Sequence, residues 1–243
     1  MKVLIGCERF GVLRDEFEKQ GHDAWSCDLV DAPGKHFKRD VRDVANQGGW
    51  DLFIVHPDCT FLTIANTYGK RGCSKYTPAQ FDVYRAAAVA FFMDCVELVE
   101  EVGKGVIENP VGIMSTRYRK PDQIIQPYQF GEDASKKTCL WLWGVRPLIP
   151  TVPVFGKYVC KCGARFYVDE DCPNCGPENQ RILNTKPVWA NQTPSNKNRL
   201  GPREGRAMER AKTYVGIARA MAHQWGCPTD PELRPSALSG GAW

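Results

Sequence analysis

The sequence predicts an α/β fold, a parallel or mostly parallel sheet with helices on both faces, carrying one small insertion. Three observations predict it. Short apolar runs (KVLIG at 2–6, LFIV at 52–55, GVI at 105–107) alternate with segments of helical period. Residues 78–102 set Phe81, Tyr84, Ala88, Phe91, Cys95, Val99 and Val102 at three- and four-residue steps, the stripe of a long helix. From about residue 146 the alternation gives way to Pro-rich loops around four closely spaced cysteines.

The elements follow in order. KVLIG is the first strand, and a polar, Gly-containing loop leads into VLRDEFEKQG, where Val12, Leu13 and Phe17 share a face and Gly21 is the stop. DAWSCDL is a second strand ending at Asp28, DVRDVANQ a short helical turn before Gly48-Gly49, and WDLFIVHPDC a third strand. Pro78 suits the first turn of the long helix, and Gly103 closes it. GVIENP and TCLWLWG give further strands. MERAKTYVGIARAMAHQWG is the last helix, striped by Met208, Ala211, Val215, Ala218, Met221 and Trp225. The chain therefore divides into a main domain at 1–145, an insertion at 146–200, a helix at 201–228 completing the main domain, and a loose Pro- and Gly-rich tail at 229–243.

Composition bounds the function. A chain of 243 residues with 43% hydrophobic and 25% charged residues can bury a full core. Nothing approaches the roughly 18 apolar residues of a membrane span. The opening MKVLIGCERFG reads as a strand and not as a signal peptide, so a cytoplasmic location is expected. The net charge of +4 and pI of about 8.4 permit nucleic-acid binding without demanding it. Positive charge gathers at Lys186, Lys197, Arg199, Arg203, Arg206, Arg210, Lys212 and Arg219, opposed by Glu204 and Glu209. That segment is either a solvated basic surface or a face toward nucleic acid.

Of the eleven cysteines, Cys7, Cys27, Cys59, Cys73, Cys95, Cys139 and Cys227 are scattered, which argues against an extracellular disulfide framework. The other four form YVCKCGARFYVDEDCPNCG, a Cys-x-Cys pair followed by a Cys-x-x-Cys knuckle. Tetrahedral zinc needs four thiolates from two close turns, so Cys160, Cys162, Cys172 and Cys175 are the predicted ligands, with GARFYVDED as a hairpin arm. Four thiolates leave no open position for water, which makes the expected role structural.

Three chemistry-bearing segments fall at strand carboxyl ends, where parallel sheets bind ligands: Cys7-Glu8, Pro57-Asp58-Cys59 and Glu108-Asn109-Pro110. Cys59 is either a structural thiol or a nucleophile on a Pro-braced turn. Glu108 is either a solvent-facing acid or a site carboxylate; its place on a strand tip beside a proline is poorly explained by packing.

Across residues 3–145, and again in the last helix, the chain resembles the cytosine-C5 DNA methyltransferases, in a shortened form found among phage and prophage proteins. VLIGCERFGVLRDEF is similar to the strand and glycine loop that hold S-adenosylmethionine (SAM), HPDCT to the Pro-Cys nucleophile loop, and IENP to the Glu-Asn motif. QPYQFGEDASKKTCLWL resembles the segment from which a basic residue reaches the flipped cytosine, and TYVGIARAMAHQWG the helix closing the cofactor pocket. The resemblance implies a Rossmann-like SAM-dependent methyltransferase sheet with a zinc-ribbon insertion acting in target recognition. It implies cofactor contacts at Gly6, Cys7, Glu8, Phe10, Gly11, Asp28, Asp40 and Pro57, with Asp28 at the ribose and Asp40 at the adenine amino group. Cys59 would be the nucleophile, Glu108 the acid at cytosine N3, and Lys137 or its neighbour Lys136 the base contact. The implied partner is DNA, duplex or single-stranded, in a bacterial host cytoplasm if the protein is phage-encoded.

The sequence departs from that pattern in three places. Asp58 separates Pro57 from Cys59, and its charge should raise the thiol pKa. The glycine loop is reduced to Cys7-Glu8-Arg9-Phe10-Gly11, and lysine stands where the family has arginines. Methylation of an exocyclic amine, modification of a free nucleotide or a related C5 chemistry, and a catalytically degenerate zinc-bearing nucleic-acid binding module remain open beside the C5 reading.

Overall fold

The computed structural model describes residues 1–64, 76–199 and 212–227. Cys73, Arg203, Glu204, Arg206, Met208, Glu209, Arg210, Ala211 and the tail at 229–243 lie outside the described residues. Among those described, no helix is long and apolar enough to cross a membrane.

The main sheet is assembled from β1 (Lys2–Gly6), β2 (Asp23–Asp28), β3 (His36–Lys38), β4 (Leu52–Val55), β5 (Gly105–Pro110), β6 (Gln123–Ile125) and β7 (Thr138–Trp143). Its seven strands run in the order β3-β2-β1-β4-β5-β7-β6. The first five are mutually parallel, and β7 lies antiparallel between β5 and β6. The result is a mixed α/β fold with a mostly parallel sheet, compatible with a Rossmann-like fold.

Both faces are covered, which is why the central strands read as unbroken apolar runs. Alternation along β1 sends Val3 and Ile5 to one face, where Leu13 and Phe17 of α1 (Val12–Lys19) meet Ile217, Met221 and Trp225 of the last helix, α6 (Val215–Gly226). Leu4 points to the other face with Phe53 and Val55, under α2 (Val41–Ala45) and α3 (Pro78–Val102). The α3 start is fixed by a reciprocal cap: the Gln80 amide donates to Thr77 Oγ1 and the Thr77 amide to Gln80 Oε1. Gly103, at φ 76°, ends it.

Two helical stripes differ from expectation. In α3 the deeply buried side chains are Phe81, Phe92, Cys95, Val96, Leu98 and Val99, whereas Tyr84 is exposed and Phe91 lies under the Arg42 guanidinium. In α6 the buried face runs through Ile217, Ala218, Met221 and Trp225, and Val215 is exposed at the helix start. Both stripes are widened and not moved: Phe81, Cys95 and Val99 of α3 and Ala218, Met221 and Trp225 of α6 are buried as expected, joined by adjacent apolar residues such as Phe92, Val96 and Ile217.

Short connectors complete the frame: α4 (Met114–Arg117) after β5, and a 3₁₀ turn at Pro127–Gln129. Gly112 permits a close approach. A Cβ there would strike the Leu62 carbonyl, which accepts from the Ile113 amide and pins the loop after Cys59 to the end of β5. The insertion carries a small ribbon, β8 (Tyr158–Val159) against β9 (Arg165–Phe166), then α5 (Gly176–Asn179). The ribbon strands flank the first cysteine pair, so the hairpin is 158–166 and not the expected arm at 163–171. The insertion docks back on the main domain: Trp189 stacks on Tyr128 at 4.4 Å, and Asn191 exchanges hydrogen bonds with the Ser135 backbone, one residue from Lys136.

Candidate functional site

The order of the sheet reverses between β1 and β4, and the carboxyl ends on either side of that point form the crevice where open α/β sheets hold ligands. The β4 end continues into His56, Pro57, Asp58 and Cys59; the β5 end carries Glu108, Asn109 and Pro110. Parallel register sets Val55 beside Ile107, so the next residues, His56 and Glu108, emerge together. His56 Nδ1 lies 2.7 Å from Glu108 Oε2. One step further, Asn109 Nδ2 donates to the Pro57 carbonyl at 2.8 Å, a buried tie that holds the Pro-braced loop on the neighbouring strand.

Cys59 is half-buried at the start of a helical turn, its carbonyl accepting from the Leu62 and Thr63 amides. Asp58 is exposed and turned along the loop, Oδ1 accepting from both the amide and the hydroxyl of Thr60. Burial pushes the Cys59 thiol up to about 11, and the Glu108 and Asp58 charges add to the rise, while Lys136 opposes it. The thiol is therefore protonated near neutral pH. Glu108 behaves oppositely. Burial raises its carboxyl, but the hydrogen bond and charge of His56, then Lys136 and Thr138, outweigh that and hold it below the usual carboxylate range. Beside these groups lies a cavity lined by His56, Glu108, Lys136, Thr138, Thr213, Tyr214, Ile217 and Met221. Of the two lysines expected at the site, Lys136 is the one brought there; Lys137 is exposed and lines no part of the cavity.

The expected cofactor residues take varied positions. Gly6 ends β1, and Cys7 follows with φ 57°, a left-handed turn uncommon for a non-glycine residue. The Cys7 thiol packs toward the α3 face, with burial and then Cys95, Asp28 and Cys27 raising it. Glu8 is buried, its carboxylate accepting from the Leu13 amide at 2.6 Å and the Arg14 amide at 3.3 Å, so it caps α1. Gly11 stands just before α1 at φ 64°. Asp40 caps α2 and pairs through both oxygens with Arg42, which holds its carboxyl down. Those bonds commit Glu8 and Asp40 structurally. Asp28 is less occupied, with Oδ1 accepting from the Val30 amide. Phe10, Leu29 and Val30, from the loops that follow β1 and β2, are exposed apolar side chains. Pro57 is buried.

His56 was not legible as a site residue. The signal was present in the equal phasing of FIVH and VIE along two neighbouring strands, which only the pairing register reveals.

In the insertion, the Sγ atoms of Cys160, Cys162, Cys172 and Cys175 all lie within 4.8 Å of one another. Cys162 and Cys172 are 3.5 Å apart, and Cys160 and Cys175 are 3.9 Å apart. A tetrahedron of Zn–S bonds of about 2.3 Å has edges of about 3.8 Å, so the four cysteines could hold a metal ion such as zinc. The Arg181 amide donates to Cys160 Sγ, as expected for a thiolate ligand. The rest of the basic segment shows no such convergence among the described residues: Lys186, Lys197 and Arg199 are exposed, and Arg219 lies 3.6 Å from Glu16.

Two outcomes follow from this geometry. Purified protein should carry about one zinc per chain, with Cys172→Ser lowering the metal content several-fold; full-length protein without metal would refute the centre. Alkylation of Cys59, read on its own peptide by mass spectrometry, should rise about tenfold per pH unit toward a midpoint of about 11. At pH 7.5 it should run about 100-fold slower than an unperturbed thiol. A midpoint below 8 would contradict the electrostatics described. No family model matches the chain, and no curated protein matches its sequence at a significant level.

Proposed function

We propose that the protein is a SAM-dependent cytosine-C5 methyltransferase acting on DNA. The observation that carries this reading is the convergence of Cys59, Glu108 and Lys136 at the carboxyl ends of the two central strands, close enough for Glu108 and Lys136 to shift the thiol in opposite directions. The insertion that carries the cysteine cluster, docked beside Lys136 through Asn191 and Ser135, supports a role in placing the nucleic acid.

Cytosine C5 is a weak nucleophile until a group adds at C6. Cys59 supplies that group, and the buried Pro57–Asn109 tie fixes where its loop starts. Glu108 faces N3 and the exocyclic amine, where charge pushed into the ring accumulates, and Lys136 offsets that charge. Thr213 and Tyr214, ahead of α6, line the cavity beside Glu108 and Lys136. A duplex target must be flipped out of the stack to reach this position. SAM, when bound, supplies the electrophilic methyl group. Asp28 would hold its ribose hydroxyls, and Phe10, Leu29 and Val30 offer an apolar surface suited to its adenine. Glu8 and Asp40 fit direct cofactor contact less well, because their oxygens are already bonded.

Transfer of labelled methyl from SAM to DNA tests the reading. Cys59→Ser should lower transfer at least about 1,000-fold and Glu108→Ala about 100-fold or more, with zinc content unchanged. Wild-type-like transfer in Cys59→Ser would refute covalent catalysis in favour of amine methylation. DNA binding without SAM binding or transfer would leave a zinc-bearing binding module.

A further inference from the structure

The ionisation states at the site set a proton-balance problem. Cys59 must lose a proton to become a nucleophile, and Glu108, ionised in the free protein, must have one to give to N3. His56 has the geometry to connect them. Its Nδ1 donates to Glu108 Oε2 at 2.7 Å, because an ionised carboxylate only accepts. In its neutral form the ring presents a bare lone pair at Nε2, and that atom is buried and hydrogen-bonded to no described residue. Buried polar atoms are nearly always paired, so an unpaired acceptor on a residue lining a cavity beside Glu108 and Lys136 is a place where a proton can be exchanged. The charged and titratable groups around the ring are Glu108 on β5, Glu8 from the loop after β1, Lys136 ahead of β7 and Tyr214 ahead of α6.

We infer that His56 is the proton-relay residue of this site, accepting a proton at Nε2 as its Nδ1 proton passes to Glu108. The inference rests on the C5-methyltransferase reading. As the Cys59 sulfur bonds to C6, its proton is released and one is taken up at Nε2; the two atoms share no hydrogen bond in the free protein, and the relay requires a solvent path between them. The C5–C6 π pair moves to C4–C5, the C4–N3 π pair becomes a lone pair on N3, and N3 takes a proton from Glu108. One proton has then moved from sulfur to N3. After methyl transfer, solvent water takes the C5 proton, the C5=C6 bond re-forms as the S–C6 bond breaks, and N3 returns its proton to Glu108. Sulfur recovers its proton through the relay, which ends as it began. His56 acts through Glu108 and the thiol, and is a positioning residue in that sense.

The test is the pH dependence of single-turnover methyl transfer in wild type and His56→Asn, the full chain being used in both. Asparagine keeps a donor toward Glu108 and lacks Nε2. Wild-type transfer should fall as pH is lowered, because an Nε2 that already carries a proton can accept none. His56→Asn should be about 100-fold or more slower and lack that limb, with SAM binding and zinc content unchanged. A variant within about threefold of wild type that keeps the limb would overturn the relay. The ¹⁵N shifts of the His56 ring in wild type read the same point without a variant. The relay requires the neutral ring of the free protein to carry its proton on Nδ1; a neutral ring protonated at Nε2 overturns it. Absence of methyl transfer in the wild type would instead refute the methyltransferase reading, and the relay with it.

Discussion

The contact between His56 and Glu108 sets the geometry of the whole carboxyl edge. It joins the ends of two parallel strands at the point where ladder hydrogen bonding stops, and it does so inside the fold, at 2.7 Å. The carboxylate stays ionised despite burial because that contact and Lys136 compensate for lost water. The ionised carboxylate in turn helps keep the nearby thiol protonated. Asn109, next along β5, anchors Pro57 and so fixes where the Cys59 turn begins. Each partner depends on the register of β4 against β5, and that register depends on the apolar layers of the two strands facing both cores.

The free protein thus holds the Cys59 thiol in its neutral form. Burial is the largest influence on Cys59, and Asp58, the residue whose position beside the thiol looked most adverse, is engaged with Thr60. A buried thiol kept neutral is protected from oxidation and adventitious alkylation. Lys136 is the counterweight, and its backbone is held by Gln126 while the neighbouring Ser135 is held by Asn191 of the insertion. The insertion therefore bears mechanically on the lysine as well as carrying the cysteine cluster.

The parts of the molecule legible in the sequence are those whose physics is local. Apolar runs and helical periods located β1, β2, β4, β5, β7 and α3, and a ligand spacing of one and two residues located the cysteine cluster. The three-residue strands β3 and β6 carry too few side chains to show a period, and the antiparallel turn of β7 depends on pairing partners far along the chain. Cys59 and Glu108 stood out because both sit at strand tips; His56 did not, because its role is defined by a neighbour 52 residues away. The choice between Lys136 and Lys137 likewise turned on which side of the backbone entering β7 faces the cavity.

The central claim is that Cys59 becomes bonded to the substrate base. DNA carrying 5-fluorocytosine tests it most directly, since fluorine cannot leave C5 as the proton does and the adduct is trapped. Incubated with SAM and then denatured, the wild-type protein should remain joined to the DNA, and peptide mapping should place the bond on Cys59, with none formed by Cys59→Ser. An intact protein that binds SAM and DNA yet forms no adduct would contradict the account.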